Sequence, residues 1–169
     1  MKILAGRFKG IPIKMSIKMP YRPTKSRVRK SIFDKLVPFY YTSVLDLFSG
    51  SGIMGLEASS RGASFVTFVE KHGKSLSLMK ENSLKFNGVD YSFIKMDVFS
   101  FLKKTGSFDL IFADPPYGRF DLKILIKTIY ECLNKNGKLI LECEKSQAPF
   151  LDADVSDYGN TRILTWTNL

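Results

Sequence analysis

Phe108-Asp109-Leu110-Ile111-Phe112-Ala113-Asp114-Pro115-Pro116-Tyr117 joins a buried apolar run to an acid, two prolines and an aromatic ring. The apolar part is too short for a helix, and Asp-Pro-Pro breaks any regular element, so the run reads as a central strand. A strand of this kind carries Asp114 to the carboxyl edge of a parallel sheet, where open α/β folds bind ligands. Neither proline donates a backbone hydrogen bond and each fixes φ. The carbonyls beside Asp114 are thus held as acceptors. A carboxylate, a rigid carbonyl and a planar ring suit a conjugated amine, which offers two N–H groups and a face to stack on.

The same alternation of strand and helix extends to either side. Val44 to Phe48 reads as a strand, followed by the turn Ser49-Gly50-Ser51-Gly52 and a helix through Leu56 and Ala58. Phe65 to Glu70 is a second strand, and a helix from about Ser75 to Phe86 stops near Asn87-Gly88. Tyr91 to Met96 is a third strand, closed by Asp97 and a short helix. After the Asp114 strand come a helix over Leu122 to Leu133 and a fifth strand over Lys138 to Cys143. Val155 and Arg162 to Trp166, around Gly159-Asn160, then form a hairpin. The expected fold is a doubly wound α/β sandwich with a mostly parallel sheet and an antiparallel C-terminal edge. It forms one domain over residues 1–169, with a basic arm and helix at 1–42 and a catalytic core at 43–169.

The arm carries the charge. Met1 to Lys30 holds Lys2, Arg7, Lys9, Lys14, Lys18, Arg22, Lys25, Arg27, Arg29 and Lys30 and no acid, so the net +10 of the 169-residue chain resides there. Such a segment favours a polyanion. Lys2 to Ile13 reads as a short hairpin with Arg7, Phe8 and Lys9 at its tip, where cations suit phosphates and a ring suits an unpaired base or a core anchor. Thr24 is placed as the N-cap of a helix from Lys25 to Val37, with Val28, Ile32, Phe33 and Leu36 on one face. No apolar run is long enough to span a bilayer and no leader is evident, so the chain is expected to be cytoplasmic and away from membranes. Cys132 and Cys143 lack metal-ligand spacing, and with His72 as the only histidine neither a metal site nor a triad is expected.

Gly50-Ser51-Gly52-Ile53-Met54-Gly55 matches a dinucleotide fingerprint, with Glu70 at the offset of a ribose-binding acid. Three features favour S-adenosylmethionine over NAD. Asp46, just before the glycines, suits a cationic amino group and repels a pyrophosphate. Asp97 ends the third strand, where it can accept from an adenine amine. NAD chemistry has no use for Asp-Pro-Pro-Tyr. Acids end four successive strands: Asp46, Glu70, Asp97 and Asp114.

Asp46-Leu47-Phe48-Ser49-Gly50-Ser51-Gly52 together with Asp114-Pro115-Pro116-Tyr117 resembles the class I (Rossmann-like) amino-methyltransferase pattern. Ala5-Gly6-Arg7-Phe8-Lys9-Gly10 and Arg22-Pro23-Thr24-Lys25-Ser26-Arg27-Val28-Arg29 narrow the resemblance to RsmD-type bacterial methyltransferases, which modify guanine N2 in 16S ribosomal RNA. The resemblance implies that Phe48, Ser49, Gly50, Ser51 and Gly52 approach the methionine part of S-adenosylmethionine, with Asp46 holding its amino group. Glu70 would take the ribose hydroxyls, Asp97 and Val98 the adenine, and Thr24 would close over the cofactor. Asp114, Pro115, Pro116 and Tyr117 would be the catalytic residues. Arg7, Lys9, Arg22, Lys25, Arg27 and Arg29 are the expected RNA contacts of a monomer acting on the small ribosomal subunit or an assembly intermediate. A DNA adenine-N6 methyltransferase with the same motif, an NAD-dependent oxidoreductase and an RNA-binding module without catalysis are the alternatives.

Overall fold

The computed structural model describes residues 1–15 and 24–169. Among them, the elements run in the order α1 (Ser26–Asp34), β1 (Ser43–Leu47), α2 (Ile53–Arg61), β2 (Phe65–Glu70), α3 (Gly73–Ser83) and β3 (Asp90–Lys95). They continue with α4 (Val98–Leu102), β4 (Phe108–Ala113), α5 (Leu122–Tyr130), β5 (Leu133–Glu144), β6 (Asp154–Tyr158) and β7 (Thr161–Thr167). One seven-stranded sheet has the order β3-β2-β1-β4-β5-β7-β6. The first five of these strands are parallel neighbours, and β7 pairs antiparallel with both β5 and β6. The sandwich and its antiparallel edge match the expectation. β5 runs further in both directions than its sequence indicated.

The period of two along each strand divides the core. Val44, Val66, Phe68, Leu110, Phe112 and Ile140 face α1, α2 and α3, while Leu45, Leu47, Val69, Ile111, Leu139 and Leu141 face α4 and α5. At the strand starts, Asp109 Oδ2 accepts from Thr42 N, Thr42 Oγ1 and Ser43 N, at 3.0, 2.8 and 2.9 Å, while its Oδ1 accepts from Asn134. One carboxylate thereby ties β1 and β5 to β4. At Gly55, packing of helix on strand is close enough that a Cβ would lie 2.4 Å from Phe68 Cε1. Glycine is needed there for contact.

The N-terminal arm packs as part of the core. Ile3 and Ile13 are buried, and backbone hydrogen bonds from Ile3 to Ile11 and from Ile13 to Met1 close the hairpin. Phe8 meets Phe86 edge-on at 4.9 Å, which makes it an anchor. Gly6, at φ +84°, lies so close to α2 that a Cβ would be 1.9 Å from the Ser60 carbonyl oxygen. Ser60 in turn takes the Phe8 N–H on its hydroxyl, which donates to the Ala5 carbonyl at 2.6 Å.

Beneath the arm is a fully buried carboxylate. Glu57 accepts from Leu4 N at 2.9 Å, Ala5 N at 3.1 Å and Arg61 Nε at 3.0 Å, and Arg29 Nε lies 3.4 Å away. Arg29 is itself completely buried and donates through Nη2 to the Lys2 carbonyl at 2.7 Å. Arg29 therefore leaves the set of RNA contacts expected from sequence, because its guanidinium is spent inside. Burial lowers its pKa, and Glu57 opposes that shift. Thr24 also departs from expectation. Lys25 is the N-cap of α1 without a side-chain bond, and the Thr24 hydroxyl donates instead to Glu142 at 2.8 Å.

Removing one partner of a buried ion pair strands the other, at a cost of about 3–5 kcal/mol. Glu57→Gln should lose stability of about that size in urea denaturation. A change under about 1 kcal/mol would mean that the pair is not the arm's anchor.

Candidate active site

β1 ends in a loop shaped by unusual backbone. Phe48 adopts φ +56°, which a non-glycine residue holds only under constraint, and Gly50 and Gly52 follow at +51° and +72°. Ser49 supplies the constraint. Its N–H donates to the Val69 carbonyl at 3.2 Å, and its hydroxyl reaches the Asp46 carbonyl at 2.5 Å and the Val69 carbonyl at 3.1 Å. The Gly52 N–H then closes back onto Ser49 O at 2.6 Å.

The loop forms one wall of a cleft of about 690 Å³ at the carboxyl edge of the sheet, large enough for a nucleoside-sized ligand. Phe48, Gly50, Glu70, Asp97 and Val98 line one part of it; Lys25, Asp114, Pro115, Pro116 and Tyr117 line another. Glu70 is fixed by backbone: its two oxygens accept from Gly50 N at 3.0 Å and His72 N at 2.9 Å. Asp97 caps the short α4 by accepting from Ser100 N at 3.1 Å. Phe120 packs on Phe48 at 5.1 Å and completes an aromatic wall. Tyr117 is 48% exposed at the rim. Burial pushes its hydroxyl up to about 12, and the neighbouring Glu142 and Asp114 add to the shift, so the ring stays neutral.

Not every residue expected to touch the cofactor reaches this wall. Ser49 and Gly52, spent on holding the loop, and the buried Ser51 are absent from its lining, and Thr24 is buried against Glu142. Asp46 lies behind it, for a reason visible in the register. It is level with Phe68 and Phe112, which is level with Ile140, so Glu70, Asp114 and Glu142 stand two residues further along. At about 3.3 Å per residue, Asp46 sits one layer, or roughly 7 Å, deeper. Its Oδ2 accepts from Gly55 N at 2.9 Å.

Glu142 and Phe120 were not singled out by sequence. Glu142 lies inside the fifth strand, two residues before its end at Glu144, so the rule that singles out acids at strand ends does not reach it. Phe120 follows the prolines with no signal beyond being aromatic.

The RNA contacts divide. Lys25 is exposed on the cleft rim and Arg27 is exposed near it on α1. Arg7 and Lys9 lie at the opposite, amino edge of the sheet. Arg7 N bonds Ser60 O at 2.7 Å and its Nη2 bonds Asn87 O at 2.9 Å, close to where β2 and β3 begin. Arg22 lies outside the described residues.

Burial pushes the Asp46 carboxyl up to about 8, against the Gly55 N–H that favours its anion and with added repulsion from Glu70. Burial likewise raises Asp114 well above the usual carboxylate range, with Glu142 and Asp46 contributing. A raised carboxyl keeps a proton in the folded state that the unfolded chain has released. Its stabilisation is complete below the unfolded value of 3.8 and is lost as pH rises towards about 8. The ligand-free protein should therefore melt at progressively lower temperature as pH rises across that window, and Asp46→Asn should flatten the slope. Equal slopes in the two proteins would refute the assignment.

Residues 1–162 match the family model described as conserved hypothetical protein 95. Ribosomal RNA small subunit methyltransferase D of Buchnera aphidicola subsp. Acyrthosiphon pisum (strain APS) is 34% identical over 151 residues, covering 86% of this chain and 79% of that protein. The solved structure of the Thermus thermophilus hypothetical protein TTHA0928 is 29% identical with a TM-score of 0.85 and covers 98% of both chains. Precorrin-6y C5,15-methyltransferase of Geobacter metallireducens GS-15 covers 90% of this chain and 92% of its own with a TM-score of 0.69; at 19% identity it shows the shared class I methyltransferase fold. The chain thus belongs to the conserved hypothetical protein 95 family, together with the ribosomal RNA small subunit methyltransferase D proteins.

Proposed function

We propose that this chain transfers a methyl group from S-adenosylmethionine to the exocyclic N2 amine of a guanine in 16S ribosomal RNA, in the small subunit or an assembly intermediate. The observation that carries the reading is Asp114-Pro115-Pro116-Tyr117 at the carboxyl end of β4, opening on the cleft walled by the Phe48 to Gly50 loop. Family membership supports this reading over a DNA adenine methyltransferase or an NAD-dependent oxidoreductase.

The cleft residues suit S-adenosylmethionine. Phe48 and Gly50 would lie along its methionine part, Glu70 at the ribose, and Asp97 with Val98 at the adenine. The cofactor supplies a methyl group on a sulfonium, electrophilic enough that the protein's work is to position and desolvate the acceptor. That acceptor is an amine whose lone pair is delocalised into the ring. The Asp114 carboxylate and the Pro115 carbonyl accept from its two N–H groups and turn the lone pair out of conjugation. The same acceptors stabilise the positive charge that develops on nitrogen. The raised proton affinity of Asp114 equips it to take the proton the amine sheds. Tyr117, exposed at the rim, stacks on a base turned out of its loop.

Labelled S-adenosylmethionine offered with undermethylated small subunits, their stripped RNA and duplex DNA should give N2-methylguanosine from ribosomal material; N6-methyladenine from DNA would overturn the reading. In that assay Asp114→Ala should lower turnover at least about a hundredfold while cofactor affinity stays within about threefold. Normal turnover with weakened cofactor binding would assign Asp114 to the cofactor instead.

Of the cations expected to contact RNA, Lys25 and Arg27 lie nearest the cleft. Their joint replacement by Gln should weaken RNA binding and make the plot of log affinity against log salt less steep by about 0.7 per charge removed. An unchanged slope would place the RNA elsewhere on the surface.

A further inference from the structure

The Asp-Pro-Pro-Tyr geometry explains how an amine is held but not which base brings it. The answer lies on the neighbouring strand. In the β4–β5 register Ala113 stands opposite Leu141, so the next residues, Asp114 and Glu142, follow side by side where β4 ends, Glu142 still within β5 and level with Ile163 of β7. Parallel strands lie about 4.8 Å apart. Both residues share the parity of Phe112 and Ile140, which face the α1–α3 side, and both line the cleft. The charge of Glu142 acts on Asp114 and on Tyr117 alike, so it stands within reach of the acceptor and of the stacking ring. Thr24, itself buried, aims the Glu142 carboxylate by donating to Oε2 at 2.8 Å.

Two adjacent carboxylates in a half-buried cleft repel each other, and a ligand that offers a row of N–H donors relieves the repulsion. Among the four bases, only guanine places a ring N–H next to an exocyclic amine: N1–H beside the N2 amino group. Adenine and cytosine each set a ring nitrogen lone pair beside their amine. An adenine whose amine was seated at Asp114 would direct its N1 lone pair at Glu142, which leaves two acceptors opposed and unsatisfied.

We propose that Glu142 accepts the N1–H of the target guanine, held in place by Thr24, and thereby makes this site select guanine over adenine. The inference rests on the guanine-N2 reading given above and adds a specificity-determining residue to it.

The test replaces the target guanosine by 2-aminopurine riboside in the RNA that the full-length protein methylates. This base keeps the 2-amino group that receives the methyl and lacks only the N1–H and the 6-oxo group. The wild type should prefer guanine in kcat/KM by about ten- to hundredfold, the range of one hydrogen bond to a charged group. In Glu142→Gln, whose amide can turn to donate to an unprotonated N1, the preference should fall to within about threefold or invert. Thr24→Val, which removes the donor that aims the Glu142 carboxylate, should give an intermediate value. Cofactor affinity, measured by calorimetry without RNA, should stay within about threefold in each variant, which shows that they fold. Equal use of guanine and 2-aminopurine by the wild type would overturn the proposal without any variant. So would a wild-type preference retained in both variants, and either result leaves guanine methylation standing. Absence of any N2-methylguanosine from the wild type would overturn the functional reading and this inference with it.

Discussion

A parallel sheet delivers whatever ends its strands to one edge, and here it delivers carboxylates. Asp46, Glu70, Asp114 and Glu142 continue the parity of Val44, Phe68, Phe112 and Ile140, so all four emerge on the face shared with α1, α2 and α3. In water such a group would be unremarked. Within a cleft and beneath a loop the effective dielectric constant falls, and each charge raises the cost of its neighbours. The upward shifts of Asp46 and Asp114 express their burial first and that repulsion second. The surrounding structure holds the acids together against it, through Gly50 and His72 N–H groups at Glu70, the Gly55 N–H at Asp46 and the Thr24 hydroxyl at Glu142. The edge thus stores an attraction for cations and N–H donors, which is what a methyl donor with a sulfonium and an amine acceptor both present.

α2 carries this arrangement to the other end of the molecule. Its first turn gives the Gly55 N–H to Asp46, and the glycine lets the helix settle on Phe68. Further along the helix, Glu57 gathers the arm, Arg61 and, through Arg29, α1. Ser60 completes the docking against Gly6 and Phe8. The helix that shapes the cleft is therefore the helix that holds the arm. Thr24, just ahead of α1, then brings the chain back to the cleft's own carboxylate.

Much of this was legible from residue order. Period-two apolar runs, the Gly-rich turn and acids at strand ends pointed to the sheet, its crossover connections and part of the cleft wall. The misses share a cause: each depended on a partner far along the chain. Arg29 sat in a run of cations and read as surface, yet it lies three and four residues before Ile32 and Phe33, on the buried side of α1. Glu57 and the Lys2 carbonyl make that position tolerable for a guanidinium. Thr24 looked like a cap because caps are local, and its actual acceptor is 118 residues away. Asp46 looked like a wall residue because the pattern shows that an acid ends a strand but does not show how deep that end lies in the register. Arg7 and Lys9 kept their exposure but landed at the amino edge, a placement set by Ser60 and Asn87.

The division of labour between β4 and β5 follows from the chemistry of amines. Asp114 and the Pro115 carbonyl need only two N–H groups and a lone pair, features common to guanine, adenine and an amide side chain, so a motif confined to β4 is indifferent among them. Discrimination has to come from an atom one bond further into the ring, and that atom projects past Asp114 towards a neighbouring strand. On the β1 side the level position is Phe48, an aromatic residue whose backbone is bent into the loop. On the β5 side it is Glu142, charged and aimed by a buried hydroxyl. On the proposed reading a ring N–H is favoured there and a ring lone pair is opposed, so the identity of the base would be decided by the residue beside the motif, on a strand whose sequence carries no signature of its own.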